Sequence, residues 1–176
     1  MDVFIEGFFF TLKNVSKDKG KLRELFKCSF DYNMTYAFMQ DGVAVGFLGL
    51  ADYEKRPISL NKEVYMKIIG KGSYKAMSEA FEKVKNIGPH EIFIDYIATS
   101  LEHRSKGIGA QFITFIHDTL GYKEIQLETY SKNTRAISFY ERLGFKIVEV
   151  KKNLMMKILG YGSLVTLRFE AGKNDA

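Results

Sequence analysis

The chain has 176 residues, a length typical of one domain spanning residues 1–176, and 46% of them are hydrophobic, enough for a buried core. Its net charge of +5 suits an anionic ligand but is too small and too dispersed to indicate nucleic-acid binding. We expect a cytoplasmic protein, because no apolar run is long enough to span a membrane, Asp2 and Glu6 replace the positive segment of a signal peptide, and the single Cys28 cannot form an internal disulfide.

The N-terminal segment predicts a strand followed by a helix. The aromatic and β-branched run from Phe4 to Leu12 favours a first strand. Ser16 is placed to cap a helix, because apolar residues follow it at helical spacing: Leu22, Leu25, Phe26 and Phe30.

Two apolar runs further on predict a β-hairpin. Tyr36–Met39 and Val43–Leu50 flank Asp41-Gly42, a dipeptide typical of a tight turn between antiparallel strands. Gly46 and Gly49 within the second run indicate a bulge or a close approach of another backbone.

The segment from 52 to 90 predicts two helices. Val64, Ile68 and Ile69 indicate a short helix that ends at Gly70. Ser73 is placed to cap a second helix, which Gly88-Pro89 ends and whose apolar face has four residues: Met77, Ala80, Phe81 and Val84.

The second half of the chain alternates strands and helices. Predicted strands are Glu91–Ala98, Glu124–Tyr130, Phe145–Val150 and Ser163–Glu170; predicted helices cover 107–119 and Thr134–Leu143. A hairpin followed by strand–helix–strand units indicates an α/β fold, with a mixed central sheet of about seven strands and helices on both faces.

A glycine-bearing loop precedes the helix at 107–119. Its residues are Arg104-Ser105-Lys106-Gly107-Ile108-Gly109. First-turn N–H groups have no partner within a helix, and the helix dipole adds positive charge there. Gly107 and Gly109 allow an anion to approach the main chain closely, so the loop predicts a phosphate site.

The common nucleotide motifs do not match this loop. A P-loop requires four residues between its glycines and then Lys-Ser/Thr, and neither feature is present. The dinucleotide fingerprint requires a third glycine at the position of Phe112.

Together with a second segment, the loop resembles the GNAT superfamily of N-acetyltransferases. Arg104 to Gly109 matches the family's Gln/Arg-x-x-Gly-x-Gly/Ala loop, and Asn133 to Phe145 matches Asn-x-x-Ala-x-x-Phe-Tyr-x-x-x-Gly-Phe. The resemblance covers roughly residues 91–150, the expected cofactor-binding half, and agrees with the layout of the fold. Many members have Pro at the position of Leu101 and Gly at that of Ser105.

The resemblance implies acetyl-CoA as cofactor and assigns the residues that hold it. The main chain of Ile97 and Thr99 is expected to bind the pantetheine arm as an added strand, which requires an opening between the strands Glu91–Ala98 and Glu124–Tyr130. Asn133 is expected to contact the cofactor or to cap its helix. The diphosphate is assigned to the loop residues Arg104, Ser105, Lys106, Gly107, Ile108, Gly109 and Ala110.

Two residues are predicted to be catalytic. Tyr140 occupies the family's usual general-acid position, and a phenol, with an ordinary pKa near ~10, stays protonated at neutral pH. Asp95 lies two residues before Ile97, where several members place a base, and strand alternation predicts that Asp95, Ile97 and Thr99 share one face. Asp95 would act as a base through water, bind a substrate ammonium group, or be a structural carboxylate.

Other residues are weaker candidates, and several questions stay open. Tyr96, Glu128 and Tyr130 are less favoured as the base, and no His or carboxylate spacing indicates a metal site. Without a positioned nucleophile, direct acetyl transfer in a ternary complex is expected. The acceptor is an amine-bearing small molecule or peptide, with a homodimer left open. A non-catalytic acyl-CoA-binding module and a structural protein on the same scaffold are the alternatives.

Overall fold

The computed structural model describes residues 1–71, 74–82, 87–152 and 154–172. The helices are α1 Asp2–Leu12, α2 Lys19–Lys27, α3 Lys62–Ile68, α4 Tyr74–Glu82, α5 Ile108–Thr114, α6 Thr134–Arg142 and α7 Leu154–Ile158. The strands are β1 Thr35–Gln40, β2 Val43–Ala51, β3 Glu91–Thr99, β4 Glu124–Tyr130, β5 Lys146–Lys151 and β6 Leu164–Glu170. A π-helical turn, Phe115–Thr119, continues α5.

The described strands form one mixed sheet. Its six strands lie in the order β1-β2-β3-β4-β6-β5. The central pair β3–β4 is parallel, and the other neighbours are antiparallel. The predicted α/β class is therefore confirmed, with six strands in place of about seven.

Helices cover both faces of this sheet, as predicted. On one face, α5, its π-helical continuation and α6 contribute Phe112, Ile116 and Tyr140 to an apolar cluster that includes sheet residues such as Ile94 and Leu127. On the other face, α1 and α2 pack on the sheet through a second cluster, in which Phe4, Leu22 and Leu25 join Tyr96. Burial of two apolar faces by helices is the main stabilising term for this kind of layered fold.

The predicted N-terminal strand is wrong, because Phe4–Leu12 lies within helix α1. Phe4 and Ile5 are adjacent, and Leu12 lies about two helical turns further on, a spacing that places these buried residues on one side of the helix. Gly7 permits this packing, since a Cβ built there would lie 2.7 Å from Cβ of Ala98 on β3. Tertiary contact with the sheet overrides the β propensity of the phenylalanines.

The predicted hairpin is confirmed. β1 and β2 pair antiparallel up to Gln40 and Val43. Between them Asp41 and Gly42 have φ of 50° and 77°, the two positive values that a type I′ turn requires.

The remaining predicted elements agree closely with the structure. Helices α2 to α6 and strands β3 to β6 lie at the expected places, and α7 is an element that the sequence patterns did not indicate. The prediction that Ser16 caps α2 is wrong, because the N-cap is Asp18, whose side chain accepts hydrogen bonds from the N–H groups of Gly20 and Lys21. Ser73 and Val84 of the predicted second helix lie outside the described residues. No helix in the described part of the chain is both long and apolar enough to cross a membrane.

Candidate functional site

The central strands β3 and β4 part at their carboxyl ends. They pair from Glu91 and Glu124 as far as Ile94 and Leu127. Beyond this point β3 continues to Thr99 and β4 to Tyr130 without pairing to each other in the described register. The predicted opening between these strands is thus confirmed.

A β-bulge coincides with the point where the strands part. Gly49 and Leu50 of β2 face Tyr96 and Ile94 of β3, so the register skips Asp95. Gly49 is required here, because a Cβ at this position would lie 2.1 Å from the Tyr96 ring. An extra residue bends a strand and increases its twist, which accounts for the divergence of β3 from β4.

The same bulge reverses the side-chain alternation of β3. Ile94 and Ile97 are three residues apart, yet both pack in the cluster under α5 and α6. Tyr96 belongs to the cluster on the opposite face. The prediction that Asp95, Ile97 and Thr99 share one face is therefore wrong, because it assumed regular alternation through position 95.

The glycine loop leaves main-chain donors exposed to solvent. Ser105 and Gly107 have φ of 64° and 82°, in the left-handed region that favours glycine. Gly107 is the N-cap of α5 and provides no side-chain cap. Among the described residues, none accepts a hydrogen bond from the N–H groups of Lys106 to Ala110. These converging donors suit a phosphate group.

Helix α6 lies close against the loop. A Cβ at Gly109 would lie 2.8 Å from Cζ of Phe139, so glycine permits the approach of α5 and α6. Arg135 Nη2 donates to Ser105 Oγ at 3.1 Å and ties the start of α6 to the loop.

A cavity of about 670 Å³ joins the loop to the carboxyl end of β3. Its lining includes every residue predicted to hold the cofactor except Lys106, which is exposed in the loop. Tyr140 also lines this cavity, and Gly7 of α1 lies at its boundary. Residues from four elements therefore meet as the resemblance implied.

Asn133 acts as a helix cap. Its Oδ1 accepts a hydrogen bond from the Ala136 N–H at 3.3 Å, and its Nδ2 donates to Thr129 Oγ1 at the same distance. This satisfies an N–H group at the beginning of α6 and fixes the amide at the cavity wall.

Tyr140 lines the cavity and is buried. Its relative exposure is 5%, and its ring packs against Phe139 and Phe145. Burial in apolar surroundings raises the pKa of the phenol well above its ordinary value, because the phenolate would lose its hydration. The hydroxyl is thus protonated at any physiological pH.

Asp95 is held in a buried ion pair outside this cavity. Arg56 Nη2 donates to Asp95 Oδ1, and the two side chains are 7% and 3% exposed. The lining of the cavity does not include Asp95. Its predicted catalytic role stays a prediction, and this geometry favours the structural alternative. Arg56 was not indicated by the sequence, because it lies in a segment without clear periodicity.

The weaker candidates for a base have different surroundings. Tyr96 is buried, donates or accepts a hydrogen bond with Thr35 Oγ1 at 2.8 Å, and has its pKa raised by burial. Tyr130 stacks on Tyr161 with ring centroids 4.7 Å apart. Glu128 lies half-buried on β4, just past the last residue paired with β3.

Comparisons with known proteins agree with this geometry. The family model described as acetyltransferase (GNAT) family matches residues 8–145. No curated protein matches the chain.

Solved structures share the fold at low identity. A histone acetyltransferase HPA2 and related acetyltransferase from Corynebacterium glutamicum is 18% identical, with 99% of this chain and 91% of that chain covered and a TM-score of 0.61. A Bacillus subtilis acetyltransferase in complex with CoA is 16% identical, with coverage of 94% and 91% and a TM-score of 0.53. An IAA acetyltransferase from Bacillus cereus is 15% identical, with coverage of 90% and 89% and a TM-score of 0.52.

The family match spans most of the chain and includes both the glycine loop and the segment around Tyr140. The structural neighbours agree on the fold. The chain belongs to the GNAT family of acetyltransferases, whose cofactor is acetyl-CoA.

Proposed function

We propose that this protein is an N-acetyltransferase that transfers an acetyl group directly from acetyl-CoA to an amine within a ternary complex. The observation that carries the proposal is one continuous cavity, in which the unbonded loop amides, the free edge of β3 and the Tyr140 phenol lie together. A cofactor with a diphosphate and a long amide-containing arm matches these three features in that order.

The residues present fit such a cofactor. The N–H groups from Lys106 to Ala110 have no acceptor among the described residues and can bind diphosphate oxygens. Main-chain groups of Ile97 and Thr99 lie on the unpaired edge of β3 and can hydrogen-bond to the arm. Asn133 borders the same cavity from the start of α6.

Acetyl-CoA, when bound, supplies an acetyl group activated as a thioester, and transfer to an amine forms a C–N bond as the C–S bond breaks. Tyr140 Oη holds a proton and can donate a hydrogen bond to the departing sulfur as negative charge develops there. Because burial raises the pKa of Tyr140, stabilisation by hydrogen bonding is favoured over complete release of that proton.

The amine must lose a proton in the reaction. The sequence predicts Asp95 for this step, either as a base acting through water or as a group that binds an ammonium ion. Its buried ion pair with Arg56 lies outside the cavity lining, which supports the structural alternative. Both a small-molecule amine and a peptide amine fit the proposal.

The proposal is tested by incubating the purified protein with acetyl-CoA and a panel of amines that includes polyamines, amino acids and peptides. We expect release of free thiol that depends on one class of amine, and a product heavier by one acetyl group in mass spectrometry. Binding of acetyl-CoA without thiol release across a broad panel would support the non-catalytic binding module. Absence of binding would contradict both functions.

A further inference from the structure

The arginines of this chain fall into two groups. The sequence contains six. Three lie away from the cavity, and each forms an ion pair: Arg23 with Asp2, Arg56 with Asp95, and Arg168 with Glu91 and Glu170.

The other three arginines all line the cavity that holds the glycine loop. Arg104, Arg135 and Arg142 form no ion pair with any described residue. The described lining contains no Asp or Glu. One cavity therefore concentrates three guanidinium charges without compensation, which favours a ligand with more than one phosphate group.

Arg104 belongs to the glycine loop, and Arg135 of α6 is hydrogen-bonded to it. Arg104 Nε donates to the Thr99 carbonyl oxygen at 3.4 Å. Arg135 Nη2 donates to Ser105 Oγ at 3.1 Å. Both groups therefore flank the amides that we assign to the diphosphate.

Arg142 is separate from this loop. It lies seven residues after Arg135 on α6, about 10 Å further along the helix axis, on the same helix face. Phe139 lies between them and packs against Gly109. The residues three and four positions before Arg142 are Phe139 and Ser138, so α6 offers no acidic partner one turn away.

We propose that Arg142 binds the phosphomonoester on the ribose of coenzyme A, and that this contact lets the protein distinguish coenzyme A from 3′-dephospho-CoA. The inference rests on the cofactor site of the proposed function. A monoester presents a nearly dianionic group apart from the diphosphate, and the planar guanidinium can bind it through two parallel N–H···O bonds. Arg142 provides such a group beyond the loop.

The test is isothermal titration calorimetry with coenzyme A and 3′-dephospho-CoA on four proteins: wild type, Arg142→Gln, Arg135→Gln and Arg23→Gln. We expect the wild type to bind coenzyme A at least about tenfold more tightly than 3′-dephospho-CoA. In Arg142→Gln, affinity for coenzyme A should fall to that for 3′-dephospho-CoA, and the latter should not change.

The other two variants act as controls. Arg135→Gln should weaken both ligands by a similar factor and preserve their ratio, and Arg23→Gln should alter neither affinity. The assignment of Arg142 would be overturned if the wild type bound the two ligands equally. It would also be overturned if the ratio of the two affinities fell to one in Arg135→Gln but not in Arg142→Gln. Failure of the wild type to bind either ligand would overturn the proposed function as well.

Discussion

The chemistry available to Tyr140 follows from its burial in the wall of the cavity. Its position within the resembled motif predicted a phenol that stays protonated, and its apolar surroundings raise its pKa further. The sequence could indicate this residue because its helix, its motif and its burial all depend on neighbours within α6 and the following turn.

Replacement of Tyr140 by Phe tests the assigned role. The variant keeps the ring and its packing and removes only the donor, so kcat should fall about a hundredfold. The dissociation constant for coenzyme A should stay within about twofold of the wild type. Thiol release and calorimetry give the two quantities.

Tyr36→Phe is a matched control, because Tyr36 packs on Phe115 outside the cavity lining. Unchanged kcat in Tyr140→Phe would remove the phenol from the mechanism.

Asp95 illustrates a site residue that the sequence could not place. The alternation rule failed because β3 has one extra residue at this position. The bulge lies where Gly49 of β2, which is distant in sequence, packs closely against the Tyr96 ring. Its partner Arg56 lies 39 residues away in an irregular segment.

The role of Asp95 is decided by comparing stability with activity. Asp95→Asn leaves the buried Arg56 charge without its carboxylate partner, so the free energy of unfolding should fall by about 3 kcal/mol. Arg56→Met combined with Asp95→Asn should recover part of this loss. Urea unfolding measures both. A large fall in kcat with unchanged stability would instead support a base.

At the scale of elements, local signals succeeded where a tight turn determines the structure. Asp41-Gly42 predicts the hairpin because only a few residue types accept positive φ. The first helix shows the opposite case. The run Phe4–Leu12 is compatible with a strand, and it becomes helical because its buried residues meet β2 and β3 as well as α2.

Substitution of Gly7 by Ala tests the contact between α1 and β3. Alanine favours a helix intrinsically. Its methyl group would nevertheless lie 2.7 Å from Cβ of Ala98, so the helix must move away from the sheet. We expect a net loss of about 1–2 kcal/mol in the free energy of unfolding, measured by denaturation.

Gly20→Ala in α2 is the matched control, because its methyl group would meet only the movable Asp18 carboxylate at 3.1 Å. Stabilisation by both variants would contradict the close packing of α1 on the sheet.

At the scale of the whole molecule, the mixed α/β class was predictable, and so was the order of elements from the hairpin to the last strand, apart from α7. Each of these features depends on contiguous segments with clear periodicity or turn residues. The contribution of Gly7 to the cavity boundary and the position of Asp95 depend on contacts across the sheet, which no local pattern records.

Buried tyrosines on both faces of the sheet predict how stability depends on pH. Burial raises the pKa of Tyr96 and of Tyr140. Only the unfolded chain can then ionise these groups near their ordinary pKa, so their stabilising contribution is complete below about pH 10 and declines as the pH increases further.

Urea unfolding between about pH 8 and pH 11 should show this loss, and Tyr140→Phe should reduce its slope. An identical slope in the variant and the wild type would contradict the assigned shift for Tyr140.

The short β3–β4 junction has a mechanical consequence. Among the described residues, the sheet consists of two antiparallel units of three strands, β1-β2-β3 and β4-β6-β5, which are paired to each other from Glu91–Glu124 to Ile94–Leu127. A linear molecule hydrogen-bonded to the unpaired edges of both β3 and β4 would link the two units across this short junction. Binding of such a molecule should therefore slow amide hydrogen exchange along the unpaired edges of β3 and β4. It should also make the two three-stranded units unfold in a single cooperative transition.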